Sequence, residues 1–336
     1  MSKNTYSAAL IGTGRIGYSL GLDKKREQPA SHTMAFNANP RINLAAGCDI
    51  NSENLEQWHK ANKHAAVFDS AEALLSSHSF DIITVAVNED AHLKTAAAAI
   101  EAKPRLLILE KPVALNVQEG LQLKKLAETS GVPVLVNHER RFAKDYQQAK
   151  SLMGAIGTLQ TVHASLYSGL RVYSQKEEQT GAYSLIHDGT HLVDIVRFLL
   201  DDPELTNPVV SGVYKSEDGC VRNLCAQYAL QDGASVLFEI SGRSKFFGFE
   251  IVLLGTEGRI TIGNGVAKFE KRRPSKLYSG FYSLMPERVK FPRKTGYFAN
   301  MVQNAVDFLD GKAPLKSTLQ TGLDALKVLE DIKNQL

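Results

Sequence analysis

Apolar and polar positions follow two rhythms along this chain, and the change comes near Arg141. Before it, Ser7–Ile11 runs apolar without alternation, as a parallel strand covered on both faces does. Ile42–Cys48, Ala66–Phe68, Asp81–Val87, Leu106–Leu109 and Val134–Val136 read as further strands. Leu55–Asn62, Ser70–Ser76, Ala91–Ala102 and Val117–Ser130 lie between them with helical spacing. Strand and helix taking turns predict a doubly wound parallel sheet, an α/β domain.

After Arg141 the period changes. In Thr158–Tyr167, Val162, Ala164 and Leu166 alternate with Thr161, His163 and Ser165, the pattern of a half-exposed antiparallel strand. Val209–Lys215, Leu224–Leu230, Ser235–Ser241, Phe249–Leu254 and Arg259–Gly263 are short and bounded by turns. They predict a second, α+β domain on a mostly antiparallel sheet, with helices at Lys144–Met153, Tyr297–Leu309 and Thr318–Leu336. The expected division is residues 1–137 and 138–336. One stretch combines both kinds of signal. Ser184–Leu200, read as helical from about Ile186, places His187, His191 and Asp194 on one face. Leu192, Ile195, Val196 and Leu199 form a neighbouring stripe for burial. Titratable groups held beside a packed stripe suit proton transfer; a capped surface helix starting at Asp188 or Thr190 is the plainer reading.

Composition narrows the class. A chain of 336 residues suits two domains, and 43% hydrophobic with 22% charged residues is ordinary for a soluble globular protein. The net charge of +3 is too small to argue for nucleic acid, although Lys268–Lys276 is a local basic run, read as a solvated loop or as a group that reaches a phosphate or carboxylate on the substrate. Cys48, Cys220 and Cys225 make neither a metal spacing nor an even disulfide set, which suits a reducing compartment. No apolar run approaches the ~18 residues of a membrane span, and the N-terminus shows no secretory pattern. The expectation is a cytoplasmic protein with no metal, membrane or nucleic-acid partner.

The candidate chemistry begins where the first strand runs into Gly12-Thr13-Gly14-Arg15-Ile16-Gly17, a G-x-G-x-x-G. Such a turn lets a pyrophosphate approach the backbone and meet free N–H groups. Asp49, ending the second strand, is placed to hold adenosine ribose hydroxyls; the alternative is a helix N-cap with Asn51 or Ser52. The gap from Gly17 to Asp49 is 32 positions against ~20 usual for the fingerprint. Leu22–Ser31, polar and containing a proline, accounts for the excess. A carboxylate at 49 would repel a 2′-phosphate, so NAD(H) is favoured over NADP(H). Ligands of such sheets sit at the carboxyl ends of the strands, which selects Asn88, Glu110-Lys111-Pro112 and Asn137-His138.

The motifs then continue in one series: VAVNEDAH (Val85–His92), ILEKPVAL (Ile108–Leu115), VNHERRF (Val136–Phe142), GAIGTLQ (Gly154–Gln160), HDGTHLVDIVRFL (His187–Leu199) and LLGTEGRITI (Leu253–Ile262). Together with GTGRIG they span almost the whole chain, which resembles the glucose-fructose oxidoreductase/inositol dehydrogenase/rhizopine-catabolism (Gfo/Idh/MocA) oxidoreductases. The resemblance implies a Rossmann domain and a C-terminal sheet domain that forms homodimer or homotetramer contacts. It also implies nicotinamide-dependent oxidation or reduction of a small polyhydroxylated substrate, a sugar or cyclitol. Lys111 matches the family lysine that polarises the reacting oxygen. His191 matches the acid–base or substrate-binding histidine. Many relatives have aspartate where this chain has His187, so the division of labour between His187 and His191 stays open. The implied cofactor residues are Gly12, Thr13, Gly14, Arg15, Ile16, Gly17, Asp49, Asn88, His92, Glu110, Lys111 and Asn137. Two other functions compete: reduction of a non-sugar of dihydrodiol or bile-pigment type, and a catalytically silent nucleotide or sugar sensor.

Overall fold

The computed structural model describes residues 5–168, 185, 187–217, 219 and 221–336. The chain forms two compact units: Met1–Ala143 with Lys294–Leu323, and Lys144–Arg293 with Asp324–Leu336. The division therefore differs from a single cut after residue 137, because a late segment returns to the first unit.

In the first unit, β1 (Tyr6–Ile11), β2 (Ile42–Cys48), β3 (Ala66–Phe68), β4 (Ile82–Val85), β5 (Leu106–Leu109) and β6 (Val134–Val136) form one sheet, ordered β3-β2-β1-β4-β5-β6. Every pairing is parallel. The crossovers are α1 (His32–Asn37), α2 (Ser52–Ala61), α3 (Ala71–Ser77), α4 (His92–Glu101) and α5 (Val117–Ser130). Ser31, Asn51, Ser70 and Asn116 each cap a helix by accepting a backbone N–H, and α5 ends at Gly131 with φ of 66°. All four residues of β4 and of β5 are buried, because helices cover both faces.

The first helix holds the main departure from a regular doubly wound unit. Beyond Gly17 the chain makes a turn, a 3₁₀ stretch at Ser19–Leu22 and a loop before α1 begins at His32. Yet His32 N–H donates to the Ile16 carbonyl (3.2 Å), and Thr33 N–H to that of Gly17 (3.0 Å). The helix thus resumes where the glycine-rich turn left it, and the residues between are an excursion looped out of one helix. The predicted polar loop Leu22–Ser31 falls inside it.

In the second unit, α6 (Lys144–Ser151) leads to β7 (Leu159–Tyr167), then to α7 (Gly189–Leu199). Seven strands follow: β8 (Val209–Lys215), β9 (Val221–Ala229), β10 (Ser235–Ser241), β11 (Gly248–Gly255), β12 (Gly258–Gly263), β13 (Val266–Pro274) and β14 (Tyr282–Pro286). The eight-stranded sheet runs β14-β13-β12-β11-β7-β10-β9-β8. It is antiparallel except that β10 pairs with β7 in parallel. Val162, Ala164, Val236, Phe238, Ile251, Leu253 and Ile260 fill its inner face at 1% exposure or less. Lys268–Lys276 is not simply a loop, since most of it is β13. Its charges hide the strand pattern by pairing outward: Glu270 with Arg259 at 2.6 Å, Arg272 with Glu257 at 2.9 Å and Arg273 with Glu287 at 2.5 Å.

The chain closes with α8 (Tyr297–Leu309) and α9 (Leu319–Lys333). Phe298, Met301, Val302, Ala305 and Val306 of α8 share one core with Leu10, Phe36, Leu44 and Ile108 of the parallel-sheet unit. Gly296 at the start of α8 has no side chain to cap it. Glu27, from the excursion, does so instead, accepting N–H from Thr295 (2.8 Å) and Gly296 (2.6 Å) and the Thr295 hydroxyl (3.0 Å). Among the described residues no helix is long and apolar enough to cross a membrane.

Candidate active site

The glycine-rich turn follows β1. Gly12 has φ of +97°, and a Cβ there would lie 2.4 Å from the Ala86 carbonyl oxygen. A Cβ at Gly17 would lie 2.0 Å from the Gly12 carbonyl oxygen, so these two positions cannot carry a side chain. At Gly14 the one atom a Cβ would meet within 4 Å is the end of the Asn54 side chain, at 3.4 Å. Thr13 is buried, Ile16 packs on the core and Arg15 is exposed.

Asp49 ties this turn down. Its Oδ2 accepts the Thr13 N–H (2.8 Å) and hydroxyl (3.2 Å), and its Oδ1 accepts the Asn51 N–H (2.9 Å). A carboxylate offers about four acceptor positions, which leaves one for a ribose hydroxyl. Asn51, not Asp49, is the N-cap of α2. A second line of bonds supports the turn from below. Buried Trp58 donates its indole N–H to Thr33 Oγ1 (2.8 Å), and that hydroxyl donates to the Gly17 carbonyl (2.7 Å).

Glu110, Lys111 and Pro112 leave the end of β5 through a cis Lys111–Pro112 bond. Glu110 is buried and accepts three donors: His32 Nε2 (2.7 Å) and Asn137 Nδ2 (2.6 Å) on Oε1, and the Lys111 N–H (3.3 Å) on Oε2. Burial alone would push its carboxyl up. The hydrogen bond and attraction from His32, the Asn137 amide and the charge of Lys111 outweigh that and hold it below the usual range. Glu139, which follows β6 and pairs with Arg140 at 2.8 Å, goes the other way. Burial raises it, with Glu110 adding to the rise, while Arg140 and Lys111 oppose it. Lys111 is thus electrostatically coupled to one carboxyl held low and another held high.

The other expected residues of this unit are placed as follows. Asn88 is exposed just beyond β4. His92 is fully buried at the start of α4, with Nδ1 2.7 Å from the Pro112 carbonyl and Nε2 3.0 Å from the Val87 carbonyl. Both ring nitrogens are therefore engaged with the loops after β4 and β5. Burial, opposed by those two bonds, lowers its pKa. Asn137 is buried, and its Oδ1 has no hydrogen-bond partner. Arg141 is buried within the same unit, 3.5 Å from the Lys316 carbonyl.

In the second unit, α7 buries Leu192, Ile195, Val196 and Leu199 as its stripe requires. It packs through Gly189, where a Cβ would lie 3.1 Å from Leu329 and 3.5 Å from Ile240. The helix does not run unbroken from before His187: Leu185 and His187 are helical, Asp188 is a turn, and α7 starts at Gly189. Ser184 and Ile186, in the predicted helix start, lie outside the described residues, as does Cys220. His187 Nε2 stands 4.0 Å from Asp188 Oδ1, His191 is half-buried, and Asp194 is buried. Arg197 turns to the Pro203 and Asp202 carbonyls and to Asp324. Among the described residues no cluster of His, Cys, Asp or Glu could hold a metal ion.

The sequence patterns assign no role to His32, Glu139 or Glu27. The one signal for His32 is the long Gly17–Asp49 gap, which marks an insertion but not where the helix resumes.

Residues 6–138 match the family model described as oxidoreductase family, NAD-binding Rossmann fold, and residues 146–261 match the GFO/IDH/MocA C-terminal domain. This chain belongs to the GFO/IDH/MocA oxidoreductase family. D-Apiose dehydrogenase of Paraburkholderia graminis is 28% identical over 201 residues, 59% of this chain and 50% of the relative. The scyllo-inositol 2-dehydrogenase (NADP(+)) of Bacillus subtilis is 27% identical over 161 residues, 46% of this chain and 44% of the relative. The matched stretches thus span half or less of these relatives. An oxidoreductase from Agrobacterium radiobacter, solved with NAD+, L-tartaric acid and magnesium, has the same fold. It superposes with a TM-score of 0.77 over 99% of this chain and 98% of its own, at 19% identity.

The residues fit a dinucleotide on two observations of their own. A Cβ at Gly14 would meet only the end of the Asn54 side chain at 3.4 Å, whereas backbone closes Gly12 and Gly17. Asn137 keeps a buried acceptor without a partner, and a nicotinamide carboxamide would supply the donor.

Proposed function

We propose that this GFO/IDH/MocA protein is an NAD(H)-dependent dehydrogenase or reductase acting on a hydroxyl or carbonyl of a sugar, sugar derivative or cyclitol. The observation that carries the reading is buried Glu110 at the end of β5, bonded to the Asn137 amide and to the N–H of half-buried Lys111, with the open acceptor of Asn137 beside it. A nicotinamide, when bound, supplies the hydride acceptor or donor. Gly12–Gly17 would receive its pyrophosphate, and Asp49 its adenosine ribose. Asn88, exposed just beyond β4, would lie beside the nicotinamide ribose. His92 acts through the Pro112 and Val87 carbonyls, fixing the two loops that carry the site.

Loss of hydride from a carbinol carbon requires loss of its hydroxyl proton as well. Lys111 supplies the cation that stabilises the oxygen as negative charge builds. Glu110, held as a carboxylate, accepts the backbone N–H of Lys111 on Oε2. His191 takes the proton, and His187 orients the substrate or shares that task. NAD(H) over NADP(H) follows from the charge of Asp49. Retention of Lys111 together with His191 favours an enzyme over a silent sensor.

The outward face of the second unit's sheet supports a further part of this reading. His163 pairs with Glu239 there at 3.2 Å, both partly exposed, and Leu237 and Val252 are half-buried. A homodimer or homotetramer through that face would cover it; sedimentation showing only monomer at micromolar concentration would count against this.

The activity test mixes the protein with NAD+ or NADP+ and a panel of aldoses, acidic sugars and cyclitols, following absorbance of the reduced nicotinamide. Reduction dependent on one or more polyols is expected. Tight nucleotide binding with no turnover on any of them would favour the sensor.

A further inference from the structure

Helix α1 opens on a histidine that the chemistry above does not use. His32 is fully buried, its ring meets Phe298 edge-on at 5.2 Å, and its Nδ1 has no hydrogen-bond partner. Its Nε2 lies 2.7 Å from the same Glu110 oxygen that receives the Asn137 amide at 2.6 Å. An ionised carboxylate only accepts, so it dictates which end of the Asn137 amide faces it. The nitrogen turns toward Glu110, and Oδ1 turns away as a buried acceptor without a partner. A protonated Glu110 would itself be a donor and would tolerate the flipped amide, which presents N–H where the acceptor now stands.

We propose that His32 is a positioning residue: it keeps Glu110 a carboxylate, Glu110 holds the Asn137 amide in one orientation, and Asn137 Oδ1 accepts the carboxamide N–H of the nicotinamide. This rests on the nicotinamide reading and adds the residue that fixes how the ring end is recognised. The titratable groups acting on Glu110 are His32 on α1, Lys111 after β5, Glu139 after β6 and His92 on α4. Of these, Glu139 repels it, and His92 is occupied by the Pro112 and Val87 carbonyls. His32 is the group that both donates to the carboxylate and lies against it in the interior. It reaches that place because the excursion after Gly17 lets the helix resume at residue 32.

The experiment measures NADH binding through Trp58, the chain's one tryptophan, by energy transfer to the reduced nicotinamide between about pH 6 and pH 8.5. Wild-type affinity should vary little over that range. His32→Leu should bind ~10-fold or more weakly near pH 6 and recover as the pH rises, because a buried carboxyl without its partner shifts upward by several units. His32→Gln, which keeps a donor facing Glu110, should restore most of the affinity. A second comparison needs no variant: the reduced acetylpyridine analogue of NADH carries a methyl ketone and no N–H. Wild type should bind it ~10-fold more weakly than NADH, the cost of leaving a buried acceptor unmet. His32→Leu near pH 6 should not distinguish the two. A flat pH profile at wild-type affinity in folded His32→Leu, or equal binding of NADH and the analogue by wild type, overturns the proposal. If His32→Leu does not fold, the analogue comparison decides alone. Failure of wild type to bind NADH or NADPH at all overturns the nicotinamide reading, and this proposal with it.

Discussion

Thr33→Val tests whether the glycine-rich turn is held from beneath as the hydrogen bonds indicate. The Thr33 hydroxyl receives the Trp58 indole N–H at 2.8 Å and donates to the Gly17 carbonyl at 2.7 Å. Thr33 is 2% exposed and Trp58 0% exposed, so water cannot replace either bond. Valine has nearly the same shape, which leaves almost no cavity cost. The Gly17 carbonyl keeps the Thr33 N–H at 3.0 Å, so its loss is partial. The indole N–H has no second acceptor, and stranding a buried donor costs about 1–3 kcal/mol. Adding about 1 kcal/mol for the weakened Gly17 contact gives a total of about 2–4 kcal/mol. At about 2–4 °C per kcal/mol for a domain of this size, Tm should fall by roughly 4–16 °C. Urea unfolding followed by Trp58 emission reports on this unit directly, and NADH affinity should weaken several-fold with it. A loss below about 0.5 kcal/mol would show that the indole is not bonded as described.

Asp49→Asn should keep an acceptor for Thr13 while removing the charge, so NADPH should gain several-fold relative to NADH with little change in stability. Equal wild-type affinities for the two nucleotides would refute the role given to Asp49. His191→Ala should lower turnover ~10²–10⁴-fold and remove one limb of the pH–rate profile. His187→Asp separates two roles: an active variant with broader polyol acceptance marks His187 as an orienting group, whereas lost activity with a shifted pH optimum marks it as the base. Glu110 is held low in the folded state, so its contribution to stability is present above the ordinary carboxylate range and lost as pH falls through its lowered value. Acid unfolding of His32→Leu should accordingly begin at higher pH than in wild type; coincident acid transitions would contradict this.

The parts of the fold set by local pattern are legible from sequence almost to the residue. Leu106–Leu109, Val117–Ser130 and Val134–Val136 are observed as predicted, because apolar runs, an asparagine cap and a glycine stop coincide there. What escapes depends on partners distant in sequence. β13 is hidden because its arginines and Glu270 pair with Glu257, Glu287 and Arg259, and charges at these positions displace the apolar alternation a strand normally shows. Helix α8 joins the first unit through a core whose other members precede it by more than a hundred residues. The same is true of the site. Gly12–Gly17, Asp49 and Glu110-Lys111 announce themselves by motif, and the structure brings Glu110 and Asn137 together. His32 does not, since its place beside Glu110 depends on where an interrupted helix resumes.

The central claim is that Lys111 provides the charge that drives hydride chemistry on a polyol. It is tested most directly by Lys111→Ala, assayed side by side with wild type for NADH binding and for nicotinamide reduction on the substrate found in the panel. Turnover should fall ~10²–10³-fold, as for deletion of one electrostatic donor at a developing oxyanion, while NADH binding changes little. Wild-type turnover in that variant would contradict the account.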